Sequence, residues 1–293
     1  MLRVGRAVGR LLHVGSAPVV VRAWEVGDGA IRLQAEGLDP ELVEYPCDPG
    51  GGRRPASRED LELAIARARF MFHLDEDLTP FYRRFKGDRL IGPVIRRKPW
   101  LRPRRRPWPW EALAWAITEQ LIEASRAAQI QRRIVRRWGP RTPVARLTDV
   151  PSSAAIAGRA PAELASMDLS EARSLALIRC AKETASGRAD LYSPASDARL
   201  LSIREIGPWT VQCLGINGRG DPDSLPAGDL AYVKLVGRLA GLGRRATVEE
   251  VEEFFTPYAP YRGLAARFAL AGHHKAIAQG PPLRAASSAH GAP

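Results

Sequence analysis

The hydrophobic pattern changes character once along the chain. Residues 19–26 (VVVRAWEV) are β-branched, Gly27-Asp28-Gly29 is a turn signal, and IRLQA from Ile31 alternates apolar with polar, which predicts a β-hairpin. Cys47 to Pro55 (CDPGGGRRP) reads as a flexible break. Beyond it the period becomes helical. Leu61, Ile65, Ala68 and Phe72 share one face, and Ser57 with Asp60 forms a capping-box pattern. Leu113, Ile117, Leu121 and Ala124 make a second helical face. Ser170 is placed to cap a helix carrying Leu175, Ile178 and Ala181 that ends at Gly187; Thr247 and Glu250 repeat the capping-box pattern. No convincing strand follows the break, and the sequence holds no internal repeat. From Gly280 onward Pro, Ala, Ser and Gly dominate, the composition of a disordered tail. The pattern therefore predicts a small N-terminal β-containing part followed by a long all-α body.

A chain of 293 residues can bury a real core. Its charge narrows the partners: 44 Lys+Arg against 32 Asp+Glu leave +12, with a pI near 10.3. Such a surplus favours a polyanion through phosphate contacts and counterion release. The sign alone would also suit an anionic membrane surface, but no apolar run reaches spanning length. Cys47, Cys180 and Cys213 lie far apart, with neither metal-like nor disulfide-like spacing, which suits a reduced compartment. The N-terminal run MLRVGRAVGRLLHVG lacks the apolar core and cleavage site of a secretory signal. A cytoplasmic protein, nucleoid-associated if bacterial, is expected. His273-His274 lacks further ligands at sensible spacing and reads as a helix end.

The most informative segment is LLSIREIGPWTVQCLGI, Leu200 to Ile216. A helix end is followed by a tight turn at Ile206-Gly207-Pro208-Trp209-Thr210. Gly207 is suited to a backbone angle closed to other residues, and Pro208 to the first turn of the next helix. Backbone N–H groups beside a helix N-terminus favour a phosphate, although an ordinary packing corner has the same tripeptide. Some twenty residues on, Pro226-Ala227-Gly228 leads into Asp229, which occupies an N-cap position. An Asp there is commonly only a cap. Separately, RRKPWLRPRRRPWPW, from Arg96 to Trp110, interleaves arginines with prolines and tryptophans. Proline keeps it from being regular structure, and an exposed loop whose Arg104, Arg105 and Arg106 suit phosphate groups is expected.

Together the hairpin and the following aspartate resemble the helix-hairpin-helix DNA glycosylase superfamily, its 3-methyladenine DNA glycosylase II branch above all. Further blocks carry the resemblance in the same order: AWAITEQLIEASRAAQ from Ala114, DLSEARSLALIRCAKETASG from Asp168 and TPYAPYRGLAARFAL from Thr256, so that it covers roughly residues 57–275. It implies a mainly α fold of two helical lobes with a small N-terminal β-containing domain. Residues 1–56 would be that domain and 57–279 the glycosylase region. Within that region about 107–228 would form the hairpin lobe, 57–106 with 229–279 the second lobe, and 280–293 the tail.

The resemblance also implies roles. Asp229 would be the catalytic carboxylate, Gln120 and Leu121 the residues that prop open the gap left by an extruded base, and Trp209 a wall of the base pocket. Ile206, Gly207, Pro208 and Thr210 would grip the phosphate strand. Main-chain carbonyls of Leu201, Ile203 and Ile206 would offer an optional site for a monovalent cation. No cofactor is required, and the clustered cysteines of the iron–sulfur branch are missing. Trp209 stands where bifunctional members carry lysine, so a monofunctional enzyme that leaves an abasic site is implied. The partner would be double-stranded DNA containing a damaged, alkylated purine, bound by a monomer with no membrane association. Two other readings are a non-catalytic DNA-binding protein and an oxidised-base glycosylase of the same fold. The chain departs from the family at the hairpin's first glycine, here Glu205 preceded by Arg204, where a required left-handed angle costs more. Leu270 and Cys213 replace pocket aromatics, which leaves the substrate range open.

Overall fold

The computed structural model describes residues 2–4, 7–47, 52–143 and 146–279. The expected tail at 280–293, and residues 48–51 of the expected break, lie outside them. The order begins β1 (Leu2–Val4), β2 (Ala7–Val14), β3 (Ala17–Val26), β4 (Ala30–Gly37), α1 (Arg58–Phe72), α2 (Thr79–Phe85) and α3 (Gly92–Arg97). It continues with α4 (Pro109–Glu119), α5 (Ala124–Trp138), the short strands β5 (Arg141–Thr142) and β6 (Leu147–Thr148), α6 (Ser153–Ala157), α7 (Pro161–Ala165) and α8 (Glu171–Ala185). The last helices are α9 (Asp197–Leu201), α10 (Pro208–Leu214), α11 (Leu230–Leu239), α12 (Val248–Phe255) and α13 (Arg262–Gln279). The fold is mainly α with a small N-terminal sheet, as the pattern predicts. No helix among the described residues is long and apolar enough to cross a membrane.

The chain divides into two compact units. One comprises Met1–Asp75 with Arg105–Ile206, the other Glu76–Arg104 with Gly207–Pro293. In the first, the antiparallel sheet runs β1-β2-β3-β4. The β3–β4 hairpin turns over Gly27–Gly29, where the sequence placed it. Strands β1 and β2 leave no clear pattern in the sequence, and in β2 Gly9 and Arg10 break the alternation that marks a strand. Partnering restores them: β2 pairs with β3 in the register Leu11↔Val20 and Leu12↔Val19.

Both faces of this sheet are covered. Leu12, Val14, Val19 and Val21 pack on Ala64 and Ala68 of α1, while Leu11 and Val20 meet Leu147. Small alanines let α1 approach closely, which is why residues 57–75 group with the sheet, across the boundary the sequence suggests at 57. The capping box of α1 forms as read, with the Ser57 hydroxyl accepting from the Asp60 N–H and the Asp60 carboxylate from the Ser57 N–H. That carboxylate also pairs with Arg54.

Arg10 reaches from β2 to Glu111 of α4, which is only 2% exposed and also accepts from Arg106 at 3.3 Å and from Trp115 Nε1 at 3.2 Å. Three donors make a buried carboxylate tolerable where one would leave it costly. Helix α8 buries Leu177, Ile178 and Ala181 and is followed by Gly187 at φ 73°. Ser170 sits at its N-cap, but the hydroxyl accepts from Arg173 Nε at 2.9 Å in place of capping.

The second unit has one core, in which Phe81 meets Phe85 and Phe268 at ring separations of 5.2 Å and Tyr261 at 5.5 Å. Thr247 and Glu250 form their capping box at α12. Helix α13 carries on through His273, so this residue is helical interior and not a helix end. At Gly263 a Cβ would lie 2.0 Å from the Ser224 carbonyl oxygen, a backbone atom that cannot swing aside. We expect Gly263→Ala to destabilise the fold by roughly 1–3 kcal/mol or more through overpacking, read as a lowered midpoint in urea unfolding; an unchanged midpoint would show that the loop at Ser224 yields freely.

Candidate functional site

In the hairpin, α9 ends and the chain reverses through Ile203–Gly207, with the Ile206 N–H donating to Ile203 O at 3.0 Å. The left-handed residue of this turn is Glu205, at φ 74°. Gly207 sits at φ −105° and ψ 177°, an extended conformation open to any residue, which corrects the expectation that its freedom serves the turn. The strain therefore falls on a residue with a Cβ. A partner holds it: Gln120 Nε2 donates to the Glu205 carbonyl oxygen at 2.8 Å.

Pro208 takes the first turn of α10 as read. Fewer hairpin N–H groups point outward than the sequence suggests. Those of Ile206 and Thr210 are spent within the turn, the latter on Gly207 O at 3.0 Å, and Pro208 has none. Thr210 is only 1% exposed. Gly207 and Trp209 remain as the backbone donors at the opening of α10, where no acceptor exists within the helix. Leu201 closes α9, where the Ala198 and Leu200 carbonyls take the N–H groups of Ser202 and Ile203, and Ile203 O keeps a second lone pair beyond its bond to Ile206.

The turn between α4 and α5 holds Gln120 and Leu121. The sequence placed Leu121 on a helical face with Leu113 and Ile117, yet α4 stops at Glu119 and Leu121 lies outside it. Its φ is 55° and its side chain is 102% exposed. A leucine that is both left-handed and fully in water contributes nothing to a core. Its backbone is pinned from behind, since Arg173 Nη1 donates to Gln120 O at 3.0 Å.

Asp229 and Trp209 belong to the second unit. Asp229 is the N-cap of α11, half-buried, with Oδ1 accepting the Ala231 N–H at 2.8 Å. The segment leading to it is clamped at two points. Ser224 Oγ donates to Gln212 O of α10 at 3.0 Å, and Asp223 receives Arg262 of α13 at 2.6 Å together with the Arg262 N–H at 3.0 Å. Arg262 holds the Asp223 carboxyl below its usual range. These clamps are why residues 207–228 join the second unit, a grouping that differs from the boundary read at 229. Neither Asp223 nor Ser224 stands out in the sequence, since their roles arise from partners far along the chain.

Trp209 approaches this segment from α10: a Cβ built on Gly228 would lie 3.9 Å from the Trp209 Cβ. The Trp209 Nε1 is buried and has no hydrogen-bond partner among the described residues. Near Asp229, burial pushes the Tyr232 phenol up to about 12, with the charge of Asp229 adding and Arg267 opposing. Cys213, at a position the resemblance gives to an aromatic, is buried in the same neighbourhood.

The basic segment is less free than expected. Arg105 lies over the Phe70 ring at 4.7 Å and Arg106 serves Glu111, whereas Arg104 is exposed. Trp110 Nε1 donates to Pro151 O at 2.9 Å. A cavity of about 460 Å³ in the first unit, walled by Trp108, Trp110 and Tyr192, contains none of the candidate site residues. Burial pushes the Cys180 thiol to about 12, which removes it as a nucleophile.

Glu205 offers a direct test of the strained turn. Glycine would relieve a left-handed cost of roughly 1–2 kcal/mol against an unfolded-state entropy loss of roughly 0.4–1 kcal/mol. Glu205→Gly should thus raise stability by a few tenths to about 1 kcal/mol in thermal unfolding. A lower melting temperature would mean that the Glu205 side chain itself stabilises the hairpin.

No family model matches the chain. It is similar to the DNA-3-methyladenine glycosylase of Bacillus subtilis, 26% identical over 232 residues that span 72% of this chain and 73% of the relative. Among solved structures it resembles the 3-methyladenine DNA-glycosylase from Archaeoglobus fulgidus, with a TM-score of 0.74 at 20% identity over 92% of this chain and 88% of the other. It also resembles the Clostridium acetobutylicum 8-oxoguanine glycosylase/lyase in complex with double-stranded DNA, with a TM-score of 0.66 at 12% identity over 91% and 88% of the two chains. The structural likenesses show that the chain has the fold of these DNA glycosylases, and over most of its length its sequence is similar to that of a DNA-3-methyladenine glycosylase.

Proposed function

We propose that this protein is a base-excision-repair glycosylase that extrudes an alkylated purine from duplex DNA and hydrolyses its N-glycosidic bond, leaving an abasic site. The observation that carries the reading is Asp229, a carboxylate fixed at a helix cap, behind a doubly clamped loop and next to a half-buried tryptophan. Breaking the glycosidic bond develops positive charge on the sugar, and a preoriented carboxylate stabilises that charge without reorganising. Oδ1 is anchored by the Ala231 N–H, while Oδ2 takes no hydrogen bond among the described residues and is the atom to face the sugar and orient the attacking water.

Trp209 supplies a ring face for an electron-poor alkylated base. It stands in place of an amine that could form a Schiff base, so strand cleavage by elimination has no nucleophile at this position. Leu121 fills the gap left by the extruded nucleotide, a role that accounts for an exposed leucine held in a strained turn. Backbone donors at Gly207 and Trp209 grip a phosphate of the damaged strand, and exposed Arg104 adds charge to the interface. The carbonyls of Leu201, Ile203 and Ile206 are hard oxygen donors, suited to a monovalent cation that would strengthen the same phosphate grip.

With methylated duplex DNA, the protein is expected to release free alkylated purine and leave an intact strand bearing an abasic site. Asp229→Asn should lower single-turnover release by roughly 10²–10³-fold while DNA affinity is retained, and borohydride should trap no covalent complex. Unchanged release in Asp229→Asn would remove the catalytic role, and a trapped complex would remove the hydrolytic mechanism.

A further inference from the structure

Beside the Leu121 turn the first unit concentrates positive charge around a single acid. Asp168, between α7 and α8, takes both guanidinium bonds of Arg126, at 2.8 and 2.6 Å. Arg133, one helical face along α5, donates to Met167 O at 3.3 Å, the carbonyl preceding that acid. Arg173 donates Nε to Ser170 Oγ and Nη1 to Gln120 O, which brings a third guanidinium to the same acid and to the residue before Leu121. All three cations act on the Asp168 carboxyl and draw it below its usual range, Arg126 most. One carboxylate among three guanidiniums leaves two charges uncompensated. Arg173 registers the excess: burial first, then the charge of Arg126, pull it below the usual arginine range.

The excess continues along α5, whose sequence ASRAAQIQRRIVRRW has five arginines and no acid. Arg132, Arg133, Arg136 and Arg137 are exposed, and among the described residues none makes a salt bridge. Arg132 with Arg136 and Arg133 with Arg137 are like-charged pairs at the i,i+4 spacing, which destabilises a helix standing alone in water. Asp168 itself is held at φ 74°, a left-handed angle for a residue with a Cβ. A strained acid that half-neutralises a cationic cluster occupies the position an anionic ligand would take.

We propose that Arg126, Arg133 and Arg173 form a binding site for a backbone phosphodiester of DNA next to the Leu121 wedge, with Asp168 as the internal anion the phosphate displaces, and that α5 extends this site through Arg132, Arg136 and Arg137. The site rests on the DNA-binding part of the function proposed above and is independent of excision. A phosphate presents three or more acceptor positions to planar guanidinium forks and carries its charge where Asp168 now supplies one. Its contact fixes position without reading sequence.

Binding of the full chain to a labelled duplex containing an uncleavable abasic-site analogue, measured by anisotropy across a salt series, tests the site. Arg126→Ala/Arg133→Ala should weaken binding and reduce the slope of log affinity against log salt by about 2. Asp168→Asn keeps a residue tolerant of the left-handed angle but removes the competing charge, so affinity should rise roughly three- to tenfold. A structural role alone predicts the opposite sign for Asp168→Asn. An unchanged salt slope in the folded arginine variant, or weaker binding by Asp168→Asn, would overturn the proposal. A protein that shows the slope change but releases no base would lose the enzymatic reading and keep the phosphate site.

Discussion

The hydrogen bond from the Gln120 amide to the Glu205 carbonyl is the constraint on which the first unit's functional geometry depends. It spans 85 positions of sequence and ties together two turns, each of which contains a residue in a left-handed conformation that its side chain disfavours, Glu205 and Leu121. Either turn alone would relax toward a cheaper backbone. Joined to each other, and with Arg173 bonded to the Gln120 carbonyl, they are over-determined. Strain of this kind persists where surrounding structure holds it, and here it keeps an apolar side chain standing in water beside a cluster of arginines.

The second unit solves a different problem, which is to hold one carboxylate still. Asp229 caps α11, so the same bond that satisfies a helix N–H also fixes the rotation of the side chain. The cap bond holds the carboxylate rigid, which is what the proposed catalytic role requires of it. The loop before it is anchored by Ser224 on α10 and by Asp223 on Arg262 of α13, and Gly263 permits the backbone approach that brings those partners together. The tryptophan beside that loop offers no amine at its position, in keeping with the hydrolysis proposed above.

Much of this was legible in the sequence where physics is local. The capping boxes at Ser57 and Thr247, the β3–β4 hairpin and the N-cap at Asp229 depend on residues a few positions apart, and each is present. What eluded the sequence depends on distant partners. Strand β2 shows no regular alternation of its own and becomes a strand only where β3 lies against it. Gly207 draws attention because it is a glycine, while the left-handed angle falls on Glu205, made bearable by a glutamine that no local pattern connects to it. Helical spacing put Leu121 in a core, since periodicity cannot show where a helix stops. Arginines 105 and 106 count as surface charge in composition and prove to be committed to Phe70 and Glu111.

What surrounds an everted sugar decides whether Asp229 acts as proposed, and a crystal structure with duplex DNA carrying an abasic-site analogue tests it most directly. In that complex the Asp229 carboxylate is expected against the anomeric carbon, Trp209 walling the vacated base position, and Leu121 inserted into the duplex at the gap. A complex in which the DNA lies against the protein while Asp229 faces no part of the sugar, and Leu121 stays outside the stack, would contradict it.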